Sequence, residues 1–184
     1  MTIPFSIATL LEPANAVGIL ALATTCIWPL LARRQLILIV QVVGAMLFAL
    51  HYLLLGSPTA AAMCTLGVLQ GLAVVLLPQP GQRIAAVGAT LLVSLGATAL
   101  TWTSLASAFS LVGQAAGAVG RLQLDTQRLR QFFLLSVAFW CTHNLLVGSV
   151  FGLCADTLSV TGLLVGLWRN RARRQPAPAL ALQA

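Results

Sequence analysis

Residues 51–57 read HYLLLGS, and residues 143–149 read HNLLVGS. The two stretches begin with the only two histidines of the chain, ninety-two residues apart. A chain with so few polar side chains is not expected to repeat the pattern His-x-Leu-Leu-x-Gly-Ser by chance. We therefore predict an internal duplication, and this duplication decides the architecture.

The composition indicates that lipid, not water, surrounds most of the chain. Of the 184 residues, 59% are hydrophobic and only 7% are charged, and the mean hydropathy is +0.97. A soluble domain has about 25% charged residues. Apolar runs of roughly twenty residues, the length of a bilayer-spanning helix, recur along the chain. These runs lack the alternation of a membrane β-barrel, so the predicted fold class is an all-α integral membrane protein.

The polar composition limits the partners that the chain can have. All ten basic residues are arginines, and they lie at the ends of the apolar runs instead of forming a basic face. The net charge of +7 therefore indicates membrane topology and not a nucleic-acid partner. The four cysteines lie inside apolar runs without a C-x-x-C spacing, which supports neither a metal site nor a disulfide framework. No cofactor is predicted.

The arginines also decide the number of spans. The 37 residues between Arg83 and Arg121 would form a helix of about 55 Å, too long for a hydrocarbon core of about 30 Å. Two spans therefore lie there, and the total is seven. Every arginine then falls on one side, which is cytoplasmic by the positive-inside rule, with the N-terminus outside and the C-terminus inside. The predicted segments are an N-terminal interfacial segment (1–14), spans one to three (15–77), a linking fourth span (78–103), spans five to seven (104–168) and a basic, disordered cytoplasmic tail (169–184).

The duplication predicts how these spans are arranged. At the offset of ninety-two, residues 16–76 align with residues 108–168 without a gap, so spans one to three match spans five to seven. Because three is an odd number, one linking helix gives the second triplet the same orientation as the first. The predicted arrangement is a parallel 3+1+3 repeat.

Asp156 is the only acidic residue inside a predicted span. It lies at about the depth of His143 on the neighbouring helix, so the two side chains can meet. An unpaired carboxylate there costs roughly 2.5–3.5 kcal/mol, so it should be protonated, paired or facing water. One interpretation is a substrate or proton pathway, with Asn144 and Trp140 beside the pair and facing a central cavity. The other is an interhelical hydrogen bond worth about 0.6–2 kcal/mol.

His51 occupies the position of His143 in the first repeat, but Cys64 stands where Asp156 stands in the second. A site built on the duplication is therefore asymmetric. His51 is either a further member of the pathway or a packing residue.

Several features match a known family in the same order along the chain. They are Arg34 and Gln41 ahead of residues 51–56, then residues 143–149, then Asp156 in the last span and the end Trp168-Arg169. Over roughly residues 16–174 the chain resembles the YgjV-like family of bacterial inner-membrane proteins. That resemblance implies a multi-pass protein of the bacterial inner membrane and no particular substrate. More distantly, the 3+1+3 plan resembles the architecture of SWEET and PQ-loop transporters.

Two interpretations of function remain open. No enzyme motif is present, so an enzyme is not predicted. The leading hypothesis is a small-solute carrier with a polar cavity between two three-helix repeats. The alternative is a non-transporting scaffold or regulatory protein, whose buried polar residues only fasten helices and which has no continuous cavity. In both, the lipid bilayer is the principal partner.

Overall fold

A computed structural model describes residues 12–174, with side chains described as far as Arg169. This part of the chain forms seven α-helices and no strand, which confirms the all-helical class and the number of helices. The helices are α1 (Pro13–Ile27), α2 (Arg34–Leu54), α3 (Pro58–Leu76), α4 (Pro80–Leu100), α5 (Leu105–Leu122), α6 (Thr126–Val147) and α7 (Val150–Arg174). A short 3-10 turn, Trp28–Leu30, extends α1.

The helix boundaries follow local chemistry. Prolines at the first position start α1, α3 and α4, where the missing N–H costs nothing. Asp125 caps α6 by accepting hydrogen bonds from the N–H groups of Gln127 and Arg128. This cap starts α6 at Thr126, earlier than the start near Gln131 that the apolar run predicts.

The repeated stretch is a helix end. Gly56 and Gly148 have φ angles of +69° and +70°, the left-handed conformation that favours glycine. The next N–H groups, of Ser57 and Ser149, donate to the carbonyls of Tyr52 and Asn144 at 2.9 and 3.0 Å. Each stretch therefore ends one helix with a left-handed glycine and begins the next within three residues.

Five helices are long and apolar enough to cross a membrane: Pro13–Leu30, Arg34–Leu54, Pro58–Leu76, Pro80–Leu100 and Val150–Arg169. The other two helices are less hydrophobic, because α5 carries Gln114 and Arg121 and α6 carries Arg128 and Arg130.

α7 continues to Arg174, beyond the end at Trp168 that the sequence suggests. The remainder of the predicted interfacial segment (1–11) and of the predicted tail (175–184) lies outside the described residues.

Helices that are neighbours along the chain are neighbours in space, and α3 also packs on α5 and α1 on α7, so six of the helices form a ring. We refer to α1–α3 and α5–α7 as the two triplets. α4 packs only on the outside, against α3 and α5, and leaves Leu92 and Leu100 72% and 89% exposed. Glycines allow close approach between helices, as where Gly113 of α5 lies against Trp140 of α6.

The arginines gather at one end of the bundle. Arg34, at the start of α2, donates to the carbonyls of Arg121 and Gln123 at the end of α5, both at 2.7 Å. Arg130, near the start of α6, donates to the carbonyl of Leu31 after α1 at 2.8 Å. Because each connection between helices is short, successive helices reverse direction and their arginine-bearing ends fall together.

Candidate functional site

A cavity of about 150 Å³ lies at the centre of the bundle. Residues of α1, α2, α3, α5, α6 and α7 line it, and none of the lining residues belongs to α4. A cavity of this size holds several waters or one small solute. It occupies the place, between spans one to three and five to seven, that the sequence predicts for a solute path.

Asp156 lines this cavity from α7 and is 9% exposed. Its Oδ2 accepts a hydrogen bond from Nδ2 of Asn144 at 2.8 Å, and Oδ1 of Asn144 accepts one from the Tyr52 hydroxyl at 2.7 Å. The amide of Asn144 is therefore held at both ends, and its orientation follows from its two partners. A chain of three polar side chains joins α2, α6 and α7.

His143 lies behind this chain instead of contacting the carboxyl group. Its Nδ1 lies 2.9 Å from the carbonyl of Ala106, which can only accept, so Nδ1 carries the proton. Its Nε2 is buried and has no hydrogen-bond partner among the described residues. The ring stands edge-on to Tyr52 and Trp140, with centroids 5.6 and 5.4 Å away. Asp156 thus bonds to Asn144, and His143 supports the aromatic rings beside the cavity.

His51 fastens helices and does not line the cavity. Its Nδ1 lies 2.8 Å from the carbonyl of Ala14, and its Nε2 lies 3.1 Å from the Ser149 hydroxyl. Its ring also packs edge-on against Phe151. Both ring nitrogens are engaged, so this residue connects α2 with α1 and with the start of α7.

Trp140 lines the cavity as part of an aromatic wall. Tyr52 is stacked between Trp140, at a centroid distance of 5.8 Å, and Phe48, at 5.7 Å. All three residues line the cavity. Stacked rings of this kind present a large rigid apolar surface with an electron-rich face.

Arg121 also lines the cavity, although the sequence predicts only a charge at the membrane surface. The Arg121 side chain extends from the end of α5 into the cavity, where Nη1 donates to Oε1 of Gln70 at 3.1 Å. Nε2 of Gln114 donates to the same oxygen at 3.0 Å, and the guanidinium lies 5.9 Å from the centre of the Phe133 ring. A signal was present, because Gln114, Gly117 and Arg121 share one helical stripe.

Two glycines make room for this arginine. A Cβ atom on Gly117 would lie 3.2 Å from Nη1, and one on Gly67 would lie 3.3 Å from Nη2. Both are tighter than ordinary side-chain contacts. Gly67 with Gly71 in α3, and Gly113 with Gly117 in α5, form G-x-x-x-G steps, which allow close helix packing and here also accommodate a guanidinium.

The cavity thus contains one cationic and one acidic group that do not bond to each other. The side-chain partner of Arg121 is an amide oxygen, and that of Asp156 is an amide nitrogen. Among the described residues no group of three or more His, Cys, Asp or Glu side chains could hold a metal ion. The arrangement places a guanidinium and a carboxyl group on the lining of one cavity.

The fold and this site define a class: a helical membrane protein with a central cavity whose mostly apolar lining carries several polar side chains. A family model described as a bacterial inner membrane protein, Imp-YgjV, matches residues 13–174. The chain therefore belongs to this family, which confirms the resemblance drawn from the sequence. No curated protein and no solved structure matches the chain.

Proposed function

We propose that the protein carries a small solute across the bacterial inner membrane. The observation that carries this proposal is the central cavity, which both helix triplets line and which contains Arg121 and Asp156. A membrane helix that hides a charged group usually does so along a solute or proton pathway. Transport also accounts for the absence of an enzyme motif in the sequence.

The proposed carrier consists of two parallel three-helix repeats joined by α4. Contacts at the offset of ninety-two support this arrangement: His51 contacts the carbonyl of Ala14, and His143 contacts the carbonyl of Ala106. The packing of α3 on α5 has its counterpart in the packing of α1 on α7. Transporters with parallel repeats move solutes by rocking one repeat against the other around a central site.

We place the arginine end of the bundle in the cytoplasm, with the N-terminus outside and the C-terminus inside. The gathering of the arginines at one end of the bundle supports this orientation, since cytoplasmic loops are enriched in basic residues. Reporter fusions after Pro58 and at the C-terminus should report opposite sides of the membrane. Fusions that report the same side would contradict the seven-span topology.

In this proposal Asp156, Asn144 and Trp140 contact the solute, and the histidines act behind them. Asp156 and Trp140 are exposed to the cavity, and Asn144 joins the carboxyl group to Tyr52. His143 and His51 bind backbone carbonyls, which positions the helices that carry the contact residues.

One observation favours a second candidate, a non-transporting scaffold. The buried polar side chains make hydrogen bonds between helices, as Tyr52 does with Asn144 and His51 with Ser149. In a scaffold, these bonds alone explain why the residues are there. The two candidates differ in whether the cavity opens to water.

Cys64 distinguishes the two candidates without knowledge of the solute, because this buried thiol lines the cavity. With Cys26, Cys141 and Cys154 replaced by alanine, a carrier should let a membrane-impermeant thiol reagent modify Cys64 in intact membranes. A matched control carries Leu92→Cys, which faces lipid on α4, in a chain without native cysteines. Reaction of Cys64 no faster than that of the control would favour the scaffold.

Proteoliposomes test the carboxyl group directly. Asp156→Asn should abolish uptake of any solute that the wild type accumulates, whereas Asp125→Asn should retain it. Asp125 is the exposed cap of α6, and asparagine caps helices equally well. His143→Ala should also lower uptake through displaced aromatic rings. If both cavity-side variants insert normally and transport like the wild type, these residues are not on the path.

A further inference from the structure

The two charged groups of the cavity lie at different depths. The guanidinium of Arg121 lies beside Gly117, at the level of Ser136, because a Cβ on Gly117 would meet both side chains. Asp156 is bonded to Asn144, eight residues further along α6. Eight residues of helix correspond to about 12 Å along the axis. The acidic and basic groups therefore line the cavity at different levels along the bundle.

The end near Arg121 suits an anion. Arginine has five N–H donors in a planar fork, and Gln70 accepts from one nitrogen of this fork. Nη2 has no hydrogen-bond partner among the described residues, and the fork lines the cavity. No carboxylate pairs with Arg121 in the described part of the chain. A carboxylate is the group that such a fork binds most strongly, through two parallel hydrogen bonds.

The end near Asp156 suits a cation. Oδ2 accepts from Asn144, and among the described residues Oδ1 has no hydrogen-bond partner. The stacked rings of Tyr52 and Trp140 line the same space, and aromatic faces attract ammonium groups. A cationic group can therefore contact a carboxylate and an aromatic wall together.

We infer that the solute is a small zwitterion whose anionic group contacts Arg121 and whose cationic group contacts Asp156. This inference rests on the proposed carrier function and specifies its substrate class. A ligand with one charge would leave the opposite protein charge buried without a partner, which is costly in a low-dielectric interior. The distance between the two ends favours zwitterions whose charges are separated by several bonds, such as ω-amino acids, over glycine.

Binding to wild-type protein in nanodiscs, measured by calorimetry, tests this inference with a defined panel. The panel contains glycine, β-alanine, γ-aminobutyrate and ε-aminocaproate, with butyrate, butylamine and glucose as singly charged and neutral controls. We expect the longer zwitterions to bind best and the controls to bind weakly or not at all. Arg121→Gln and Asp156→Asn should each weaken the binding of zwitterions roughly thirtyfold or more, as expected for the loss of one partner of a buried charge pair.

Matched variants separate the site from general effects of charge and folding. Arg128→Gln removes an exposed arginine from the same end of the bundle, and Asp125→Asn removes an exposed carboxylate, so both should bind like the wild type. If Arg121→Gln fails to fold, Arg121→Lys takes its place as the test. This variant keeps the charge and should retain part of the affinity for zwitterions.

The outcomes distinguish this inference from the carrier proposal. Equal or tighter binding of glucose, butyrate or butylamine would overturn the zwitterion assignment and leave a carrier of another substrate class. Zwitterion binding that survives Arg121→Gln or Asp156→Asn would also overturn it. If no member of the panel binds while Cys64 reacts with impermeant reagents, the zwitterion inference fails and the carrier proposal stands. If Cys64 is also unreactive, both fail.

Discussion

At the scale of single residues, Asn144 connects Tyr52 with Asp156 beside the cavity. It accepts from the Tyr52 hydroxyl and donates to Asp156, and these two bonds bring together side chains of three helices. Its planar amide provides a donor and an acceptor on one rigid group. An asparagine at this position therefore satisfies a phenol and a carboxyl group at once.

Replacing Asn144 should destabilise the protein more than trimming its neighbour. Asn144→Leu leaves two buried polar groups without partners. We therefore expect a loss of about 2–4 kcal/mol in the free energy of unfolding, since each unsatisfied group costs about 1–3 kcal/mol. Tyr52→Phe leaves only Oδ1 of Asn144 without a partner and should cost about 1–3 kcal/mol, the cost of one unsatisfied buried group. Unfolding titrations in mixed micelles measure both. Equal losses in the two variants would contradict the bridging role of Asn144.

Gly148 should tolerate alanine poorly although there is room for it. Nothing lies within 4 Å of a Cβ at this position, but its φ of +70° strains an L residue. Gly148→Ala should therefore cost about 1 kcal/mol. Gly88 in α4 has the same open space without the positive φ, so Gly88→Ala should stabilise the protein by about 0.5–1 kcal/mol. Melting curves should show opposite shifts, and shifts of the same sign would refute the explanation.

Side-chain partners were the least predictable feature at this scale. Depth along the sequence placed His143 and Asp156 close together, which favoured a direct pair. The depth of a residue in the membrane does not show which way its side chain faces around the helix axis. In the structure, α6 directs Asn144 and not His143 toward the carboxyl group of Asp156. Arg121 was missed because its Cα belongs to the membrane surface, whereas its long side chain extends into the bundle.

At the scale of elements, the repeated stretch was the most informative part of the sequence. It contains a buried histidine, a left-handed glycine and the start of the next helix, so its two copies mark the ends of α2 and α6. The number of helices followed from apolar run length and arginine spacing. The early start of α6 and the length of α7 did not, because caps and polar helical turns leave little hydropathy signal.

Two arginines connect the helix ends across the triplets. Arg34 donates to the end of α5, and Arg130 donates to the segment after α1. Both bind carbonyls that the helices leave unpaired, at the negative end of the helix dipole. This closes the bundle at the arginine end.

Loss of one such connection should be measurable. Arg34→Gln should lower the free energy of unfolding by about 1–3 kcal/mol, since it removes two charge-assisted hydrogen bonds from a half-buried site. Arg33 is its exposed neighbour, and Arg33→Gln should change stability by no more than about 0.5 kcal/mol. Comparable effects of the two substitutions would show that Arg34 contributes only general charge.

At the scale of the whole molecule, the bilayer replaces water as the surrounding solvent. Large apolar side chains are exposed along the outside of the bundle, while hydroxyl, amide and charged groups are buried inside it. This is the inverse of a soluble protein, and composition alone predicted this inversion. It could not predict the cavity, whose volume depends on where glycines and aromatic rings meet.

Two leucines test this inversion in lipid. Leu163 is fully buried between helices, and Leu163→Ala should cost about 2–5 kcal/mol through the cavity that it leaves. Leu92 is 72% exposed on α4, and in a bilayer Leu92→Ala should cost no more than about 0.5 kcal/mol. Unfolding measured in bicelles compares them. A large loss for Leu92→Ala would mean that α4 is covered by another protein surface.

The Tyr52–Asn144 hydrogen bond has a consequence for any motion of the two triplets. Asn144 and Asp156 lie on α6 and α7, in one triplet, whereas Tyr52 lies on α2, in the other. In the proposed rocking movement, the polar chain would divide at the phenol oxygen and the amide–carboxyl contact would stay intact. Parting the triplets would break this bond together with the other bonds that cross between them, such as those of Arg121 with Gln70 and of His51 with Ser149.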